Sequence, residues 1–361
     1  MKKLISLILA ITLVLSLVSC VKKVGETTDT TDTLVEDEGT KKPDDTADTD
    51  TDPSPDTDTG AESDKDETTA PPLNTGAPDV QPPLYEGSTS TVSYPVEYLG
   101  DTFTGFPSLS AVDYTVPDPF NTRGLTTERI PFSYGVASGG QPHHITVSNQ
   151  EIFDGYGTNG LAWDNKTTDE KVLYLTFDCG YKLDDLTSRI LDTLNEKNVP
   201  AAFFCTMDYL EEDPEEIARM IEEGHIVGNH SVTHPDCTTV TREKLAWELL
   251  GVHNYMRVNF GYTPSYFRFP TGAFSEDVLD LVYHTGYRSI FWSVAYADWD
   301  PNNQIGEELA FNQVTSRLHP GAVILLHSTS PDNVAILGRI IDYAISQGYV
   351  FKTLDDYEYW N

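Results

Sequence analysis

Basic residues are scarce in this chain. Of its 361 residues, 23 are lysine or arginine and 57 are aspartate or glutamate, which gives a formal net charge of −34. So much negative charge repels a phosphate backbone instead of attracting it. Nucleic-acid binding is therefore excluded, and the acidic balance is typical of the solvated surface of a secreted protein.

Cysteine is scarce as well, with four residues in the whole chain. If Cys20 is modified, as argued below, Cys179, Cys205 and Cys237 are left. An odd number of cysteines cannot all pair internally. The sequence therefore does not encode a disulfide framework, even though export often implies an oxidising compartment.

Apolar runs long enough to span a bilayer comfortably are missing too. The longest run, Leu4 to Val18, follows Lys2 and Lys3 and ends just before Cys20. This pattern predicts a lipoprotein-type signal peptide over residues 1–20, with Cys20 lipidated after cleavage. An ordinary signal peptide and an uncleaved anchor are the alternatives. All three export the chain, and the lipoprotein interpretation places it on the outer face of the cell membrane.

Two segments precede the regular part of the chain. Residues 21–84 are rich in Thr, Asp and Pro and have almost no large apolar side chains, so they are predicted to form a disordered acidic linker. Residues 85–168 contain many Gly, Pro, Tyr and Thr residues and are predicted to form an irregular, strand-rich N-terminal extension. No internal repeat is found.

Residues 169–357 alternate between apolar runs typical of buried strands and segments with helical spacing of apolar residues. The predicted strands are 172–177, 201–204, 226–229, 266–269, 289–294, 322–326 and 350–351. The predicted helices cover 186–194, 217–221, 242–259, 278–282, 307–318 and 336–345. This alternation indicates an α/β fold with a mostly parallel sheet, either a barrel or an open doubly wound sheet.

Ionisable residues stand where five of the predicted strands end. They are Asp178, His230 with His234, Arg268, Asp298 and His327. Since reactive groups gather at the carboxyl ends of parallel strands, these side chains are expected to meet in one site.

Each of these residues also has a purely structural interpretation. Asp178 can be a helix cap, and His327 can be a satisfied core residue or a general acid. Two histidines four residues apart, His230 and His234, can hold one metal ion or serve as surface or capping residues. Arg268 can form a fork with a carboxylate that keeps it ionised.

The next carboxylate, Asp298, precedes the flat apolar ring of Trp299, on which a sugar can stack. The alternatives are that Arg268 and Asp298 form structural ion pairs and that the indole of Trp299 is a core residue.

The order of these motifs resembles the polysaccharide deacetylase family with the NodB homology domain, carbohydrate esterase family 4. The motifs are Thr-Phe-Asp-x-Gly at 176–180, His-Ser-x-x-His-Pro at 230–235, Arg-x-Pro-x-Gly at 268–272, Asp-Trp at 298–299, and an apolar strand ending in His327. Residues 291–299, 319–322 and 348–352 look like the delta-lactam-biosynthetic de-N-acetylase branch. That branch resembles this chain upstream as well, from about Pro131.

The resemblance implies a distorted (β/α) barrel of about seven strands that hydrolyses the N-acetyl amide of a glycan. Asp178 would match the catalytic base and His327 the general acid. Arg268 would orient Asp178, and Asp298 would tune the pKa of the acid.

The resemblance also implies a cofactor and a substrate. His230 and His234 would match ligands of a divalent metal, zinc by preference, and Tyr181 and Trp299 are expected to bind the substrate. In the lactam branch the substrate is N-acetylmuramic acid without its stem peptide. Its freed amine closes into muramic delta-lactam, a feature of the spore cortex.

The chain departs from the family pattern at two positions. The common motif is Asp-Asp-Gly, whose second Asp is a metal ligand, and here Cys179 takes that place. Ala295 also replaces a common acidic residue. Either the Cys179 thiolate completes a Cys-His-His zinc site, or it points away and the two histidines hold the metal with solvent.

Two other functions stay open at this level. One is an O-acetyl esterase of the same fold acting on xylan-like glycans, and the other is a non-catalytic, cell-wall-binding lipoprotein. The expected partners are peptidoglycan glycan strands and, through the lipid, the membrane. The protein is expected to be a monomer.

Overall fold

The structure is a computed structural model that describes residues 86–100, 105–167 and 169–360. The predicted signal peptide, the lipidated Cys20 and the acidic linker lie outside the described residues and stay predictions. Within those three ranges, no helix has the length and apolar character needed to cross a membrane.

Ten strands and eight helices are found in the described ranges. The strands are β1 (Thr89–Val92), β2 (Tyr114–Pro117), β3 (Gly160–Leu161), β4 (Lys171–Cys179), β5 (Ala202–Cys205), β6 (Ile226–Asn229), β7 (Tyr266–Phe267), β8 (Arg288–Ile290), β9 (Ala322–His327) and β10 (Tyr349–Phe351). The helices are α1 (His144–Tyr156), α2 (Leu186–Lys197), α3 (Met207–Glu212), α4 (Pro214–Glu222), α5 (Arg242–Phe260), α6 (Glu276–His284), α7 (Glu307–Thr315) and α8 (Pro331–Ser346).

The main sheet has eight strands, and all of its strand pairs are parallel. Seven strands follow the order β10-β4-β5-β6-β7-β8-β3, and β9 pairs with β4 off this path. A bridge from Val294, just after β8, to Ile324 of β9 closes the ring. The expected distorted (β/α) barrel is therefore confirmed.

The central strand β4 shows why the barrel forms. Its side chains alternate between two apolar environments, as a pleated strand requires. Leu173, Leu175 and Phe177 pack in the core cluster with the surrounding helices, while Val172 and Tyr174 pack in a second cluster with residues of the neighbouring strands. Since both faces are covered, the strand reads as a continuous apolar run.

The predicted strand at 289–294 is interrupted because the chain changes its pairing partner there. The Phe291 N–H donates to the carbonyl of Leu161 on β3 at 2.7 Å. The Ser293 and Val294 N–H groups instead donate to the same carbonyl, that of Val323 on β9, at 2.9 and 3.2 Å. The switch places Trp292 on the wall of the cavity described below.

The extension at 85–168 is more regular than predicted. It holds the antiparallel pair β1–β2, helix α1, and β3, which joins the main sheet beside β8. The apolar pattern misses α1 because three of its four buried residues are polar: Thr146, Asn149 and Gln150. The Gln150 amide group, for example, donates to the Gly160 carbonyl at 2.9 Å and accepts from the Ala162 N–H at 2.8 Å.

Candidate active site

A cavity of about 750 Å³ opens at the carboxyl ends of the parallel strands. Asp178 is the last residue but one of β4, the His230–His234 loop follows β6, and His327 ends β9, so three strand ends deliver side chains to one space. Asp178 and His327 are register partners on the adjacent strands β4 and β9. The strand-end rule thus brings these residues together as expected.

The carboxylate of Asp178 is held by Arg268, which is fully buried. The Arg268 Nη1 atom donates to Asp178 Oδ1 at 2.8 Å, and Nη2 donates to the Thr176 hydroxyl at 2.8 Å. Burial raises the pKa of Asp178, but the guanidinium of Arg268 outweighs it, so the pKa of Asp178 ends below its usual value. The carboxylate is therefore ionised, with Oδ2 left for chemistry.

His230 and His234 meet at the side of this carboxylate. Their ring centres are 4.9 Å apart, and His230 Nε2 lies 3.6 Å from Asp178 Oδ2. The His230 Nδ1 atom is 2.9 Å from the backbone carbonyl of Arg268, which makes it the protonated nitrogen and leaves the lone pair on Nε2.

Both imidazoles are suited to hold a cation. Burial, His234 and Arg268 lower the pKa of His230 to about 4. Desolvation also lowers the pKa of His234, which stands at the exposed mouth of the cavity. Neutral imidazoles are the form that binds a metal ion.

The donor set thus fits a metal held by two histidines and completed by solvent or substrate. Among the described residues, no group of three or more His, Cys, Asp or Glu side chains stands ready as a complete ligand set.

Cys179 does not join the cavity. Because it follows Asp178 on the same strand, its side chain points to the opposite face. It is fully buried in the helix-side core cluster, which also holds Cys205 and Tyr209. Thiolate ligation of the metal does not fit this placement, and of the two alternatives for Cys179 the structure supports the one in which it points away. The three described cysteines are all free and buried.

The two ring nitrogens of His327 have different surroundings. Nε2 faces the cavity, and Nδ1 faces Asp298. Its Nδ1–H donates to Asp298 Oδ1 at 2.7 Å, and its backbone N–H donates to Asp298 Oδ2 at 2.8 Å. Burial lowers the pKa of His327, but the Asp298 carboxylate outweighs burial, with help from Asp178, so the pKa is raised. Nε2 is therefore a proton donor directed at the cavity near neutral pH.

Aromatic rings form the walls around these groups. The two predicted substrate-binding residues, Tyr181 and Trp299, both line the cavity and are 43% and 60% exposed. The Trp299 ring centre lies 6.4 Å from that of His327. Sequence reasoning missed two further wall residues, Tyr134 from the extension and Trp292. Ala295 also lines the cavity, and its carbonyl accepts from the Tyr134 hydroxyl at 3.1 Å.

Two further residues that sequence reasoning missed hold the site from behind. Thr176 accepts from Arg268, and a signal for it exists, since a polar residue two before Asp178 in an apolar strand shares its face. The Asn333 amide donates to Asp298 Oδ2 at 2.6 Å and to the His327 carbonyl at 3.1 Å. No sequence signal marks Asn333, because it comes from the first turn of α8, outside every motif.

Comparisons with known proteins agree with this geometry. A family model described as polysaccharide deacetylase matches residues 165–290. Peptidoglycan-N-acetylmuramic acid deacetylase PdaA of Bacillus subtilis is 43% identical over 190 residues, 52% of this chain and 72% of that protein. An uncharacterized 30.6 kDa protein of Geobacillus stearothermophilus is 44% identical over 217 residues, 60% of this chain and 80% of that protein.

Among solved structures, that of Bacillus subtilis PdaA, a family 4 carbohydrate esterase, matches with a TM-score of 0.60 and 37% identity. The match covers 64% of this chain and 97% of that one.

Proposed function

The chain belongs to the polysaccharide deacetylase family, carbohydrate esterase family 4, and from this premise we propose that it removes N-acetyl groups from peptidoglycan sugars. N-acetylmuramic acid is the proposed residue, en route to muramic delta-lactam, because PdaA of Bacillus subtilis carries that substrate in its name. One observation carries the proposal: an ionised carboxylate and a proton-donating imidazole, Asp178 and His327, face one cavity from adjacent strands.

The reaction adds water to the acetyl amide and releases acetate and a free amine. In our proposal Asp178 Oδ2 takes a proton from the attacking water. His327 Nε2 gives a proton to the leaving amine nitrogen, which is a poor leaving group until it is protonated. Arg268 keeps Asp178 ionised, and Asp298 keeps His327 protonated and oriented, so both are positioning residues.

Metal assistance is part of the proposal. His230 and His234 would hold a divalent metal, for which zinc is proposed, and the metal would supply Lewis-acid polarisation and a lowered pKa of water. The support is the paired neutral imidazoles and the Asp178 carboxylate beside them. Tyr181 and Trp299 are proposed to stack on sugar rings at the mouth.

Acetate release and mass spectrometry of the sugars test the proposal. The purified protein, supplied with zinc, is incubated with peptidoglycan glycan strands with and without stem peptides, and with acetylated xylan. We expect acetate from the glycan strands, and muramic acid residues that have lost an acetyl group and then water. The Asp178→Asn variant serves as the control.

Each other outcome has a distinct meaning. Acetate from xylan alone indicates an O-acetyl esterase. Acetate from glucosamine units alone would show that N-acetylglucosamine, and not N-acetylmuramic acid, is the substrate. No acetate from any substrate overturns the enzymatic proposal and leaves a wall-binding protein.

We also propose that the protein acts outside the cytoplasm, tethered to the membrane by a lipid on Cys20. Support comes from the residues at the N-terminus, where Lys2 and Lys3 precede an apolar run that ends at Cys20. Recovery of the protein in the membrane fraction, and its release by Cys20→Ala, would support this location. If the wild-type protein and Cys20→Ala are recovered in the membrane fraction in equal amounts, the lipid anchor is contradicted.

A further inference from the structure

We infer that Glu248 of α5 is a positioning residue that fixes the loop 230–234 so that His234 faces His230. The inference rests on the proposed function, which gives these two histidines the metal. Glu248 belongs to none of the sequence motifs of the site, and its carboxylate does not reach the cavity.

The loop needs to be held, because two of its residues have unfavourable backbone conformations. Ser231 has a φ of 72° and His234 a φ of 52°, both in the left-handed region. Neither is glycine, and a non-glycine residue persists in this strained conformation only when the surrounding structure enforces it. The conformation that directs His234 toward His230 is therefore not the intrinsic preference of this sequence.

Hydrogen bonds within the loop and to Asn229, the residue before it, fix only part of the loop. The Ser231 N–H donates to the Asn229 side-chain oxygen at 2.9 Å, and the His234 N–H donates to the Ser231 hydroxyl at 3.0 Å. Thr233, directly before His234, is bound from outside the loop. Its N–H donates to Glu248 Oε2 and its hydroxyl to Glu248 Oε1, both at 2.7 Å.

Both oxygens of the Glu248 carboxylate are occupied by donors. It is 0% exposed, and besides the two Thr233 groups it receives the Lys244 ammonium at 2.8 Å. All three partners are donors, which the ionised carboxylate matches, and hydrogen bonds to an ionised acceptor are about twice as strong as neutral ones. A buried carboxylate without such partners would be strongly destabilising, so the loop and α5 depend on each other here.

The rest of α5 is shaped to receive the loop. Gly251, one turn after Glu248, lies in the middle of the helix, where glycine is less favourable than alanine. A Cβ there would come within 2.4 Å of Val232 Cγ2, so only glycine lets the loop lie this close. The Asn229 amide also donates to the Leu249 carbonyl at 2.9 Å.

The test compares Glu248→Gln with the matched control Glu243→Gln, an exposed residue on the same helix. Glutamine keeps the volume but turns an NH₂ group toward one of the Thr233 donors. Zinc affinity is measured by competition with a chelator, and exchange of the Thr233 amide hydrogen by NMR. A second variant, Lys244→Met, removes the ammonium but keeps both Thr233 hydrogen bonds.

We expect Glu248→Gln to weaken zinc binding about 10- to 100-fold, the range found when partners of metal ligands are removed. Its Thr233 amide should exchange faster while the amides of β4 and β5 do not. Glu243→Gln should change neither quantity, and Lys244→Met should change zinc affinity less than Glu248→Gln does. Saturating zinc should recover most of the deacetylation rate lost in Glu248→Gln.

Two results overturn the inference. One is unchanged zinc affinity and Thr233 exchange in folded Glu248→Gln. The other is faster exchange throughout the barrel, which would assign Glu248 a general structural role. If the wild-type protein binds no zinc, the metal-assisted function fails, and the Thr233 exchange comparison still decides whether Glu248 positions the loop.

Discussion

Two parts of the molecule bury arginine–aspartate pairs, and they differ in how many carboxylate oxygens are occupied by protein donors. In the active site, Arg268 binds Asp178 Oδ1, and Oδ2 faces His230 Nε2 beside the cavity. Where the extension meets α5 and α6, the carboxylates of Asp118 and Asp280 are bound on both oxygens. We call that second group the anchor network: Asp118, Arg123, Arg242, Asp277 and Asp280.

In the anchor network, Asp118 is a carboxylate whose two oxygens are both occupied by hydrogen-bond donors. Asp118 accepts from the backbone N–H and the hydroxyl of Thr122 on Oδ1, each at 2.7 Å, and from two Arg123 nitrogens on Oδ2. Arg242 joins the Pro117 carbonyl of the extension to Asp280 of α6, at 3.0 and 2.9 Å.

The comparison teaches that burial and pairing alone do not distinguish a reactive carboxylate from a structural one. In both regions the pKa of an aspartate is held below its usual value, by Arg268 at Asp178 and by hydrogen-bond donors at Asp118. What differs is the free oxygen: a carboxylate with one oxygen left toward a cavity can accept a proton from a substrate, and a saturated one can only stabilise.

The largest expected effect is the loss of activity when the reactive carboxylate, Asp178, is neutralised. Asp178→Asn should lower kcat/KM about 10²- to 10⁴-fold, the usual contribution of a general base. The protein should still fold, because the asparagine oxygen can accept from Arg268. Acetate release measures the rate, and circular dichroism the fold. Asp208→Asn, a carboxylate at the same cavity without an Arg268 contact, is the control and should change the rate little.

Breaking the anchor network should have the opposite signature. Asp280→Ala leaves Arg242 buried without one partner and should lower the free energy of unfolding by about 3–5 kcal/mol. The kcat/KM per folded molecule should not change. Urea unfolding checks the first value. Asp342→Ala, which removes an exposed pair with Lys197, should change the free energy of unfolding little, because solvent screens an exposed ion pair. A loss of activity without a loss of stability would contradict the distinction.

The same network sets the direction of the acid response. Burial raises the pKa of Asp118 and of Asp280, but their hydrogen-bond donors hold both pKa values well below the usual carboxyl range. Their stabilisation is therefore present above the unfolded-state pKa and is lost as pH falls from that value through the lower folded-state pKa. Asp280→Ala should show a shallower acid destabilisation than the wild-type protein.

Asp298→Asn should alter the pH profile more than the fold. The charged groups that act on the pKa of His327 are Asp298, Asp178 and Arg268, and Asp298 outweighs burial. The acid form exists below the raised pKa, so activity should fall as pH rises through it. Removing the charge should move this alkaline limb of kcat/KM to lower pH. Asp300→Asn, an exposed neighbour, should leave the limb in place. An unmoved limb in Asp298→Asn would assign the proton donor to another group.

The smallest expected effect concerns the cavity mouth. Trp299→Ala removes a ring that is 60% exposed and should raise KM about fivefold, equivalent to about 1 kcal/mol of contact with sugar. The melting temperature should barely change, since the ring packs against little protein. Phe120→Ala, an exposed ring that does not line the cavity, is the control. An equal rise in KM for both variants would remove Trp299 from the substrate site.

Sequence patterns predicted the regular half of the fold well. The strand at 226–229 and the helix beginning at Arg242 appear as expected, because their apolar residues follow the period of each element. Helix α1 was missed because its buried face is polar, and the strand at 289–294 was too long because the chain changes partner. Both errors arise where tertiary hydrogen bonds replace apolar burial.

The sequence by itself determined which residue types end the strands, because an apolar run followed by Asp178 or His327 can deliver those groups only to the carboxyl edge of a parallel sheet. Only the tertiary structure decided their surroundings. The hydrogen bond from Asn333 to Asp298 and the hydrogen bonds from Thr233 to Glu248 each depend on contacts between separate segments. Such contacts leave no local pattern, since a hydrogen bond between distant segments imposes no period on either of them.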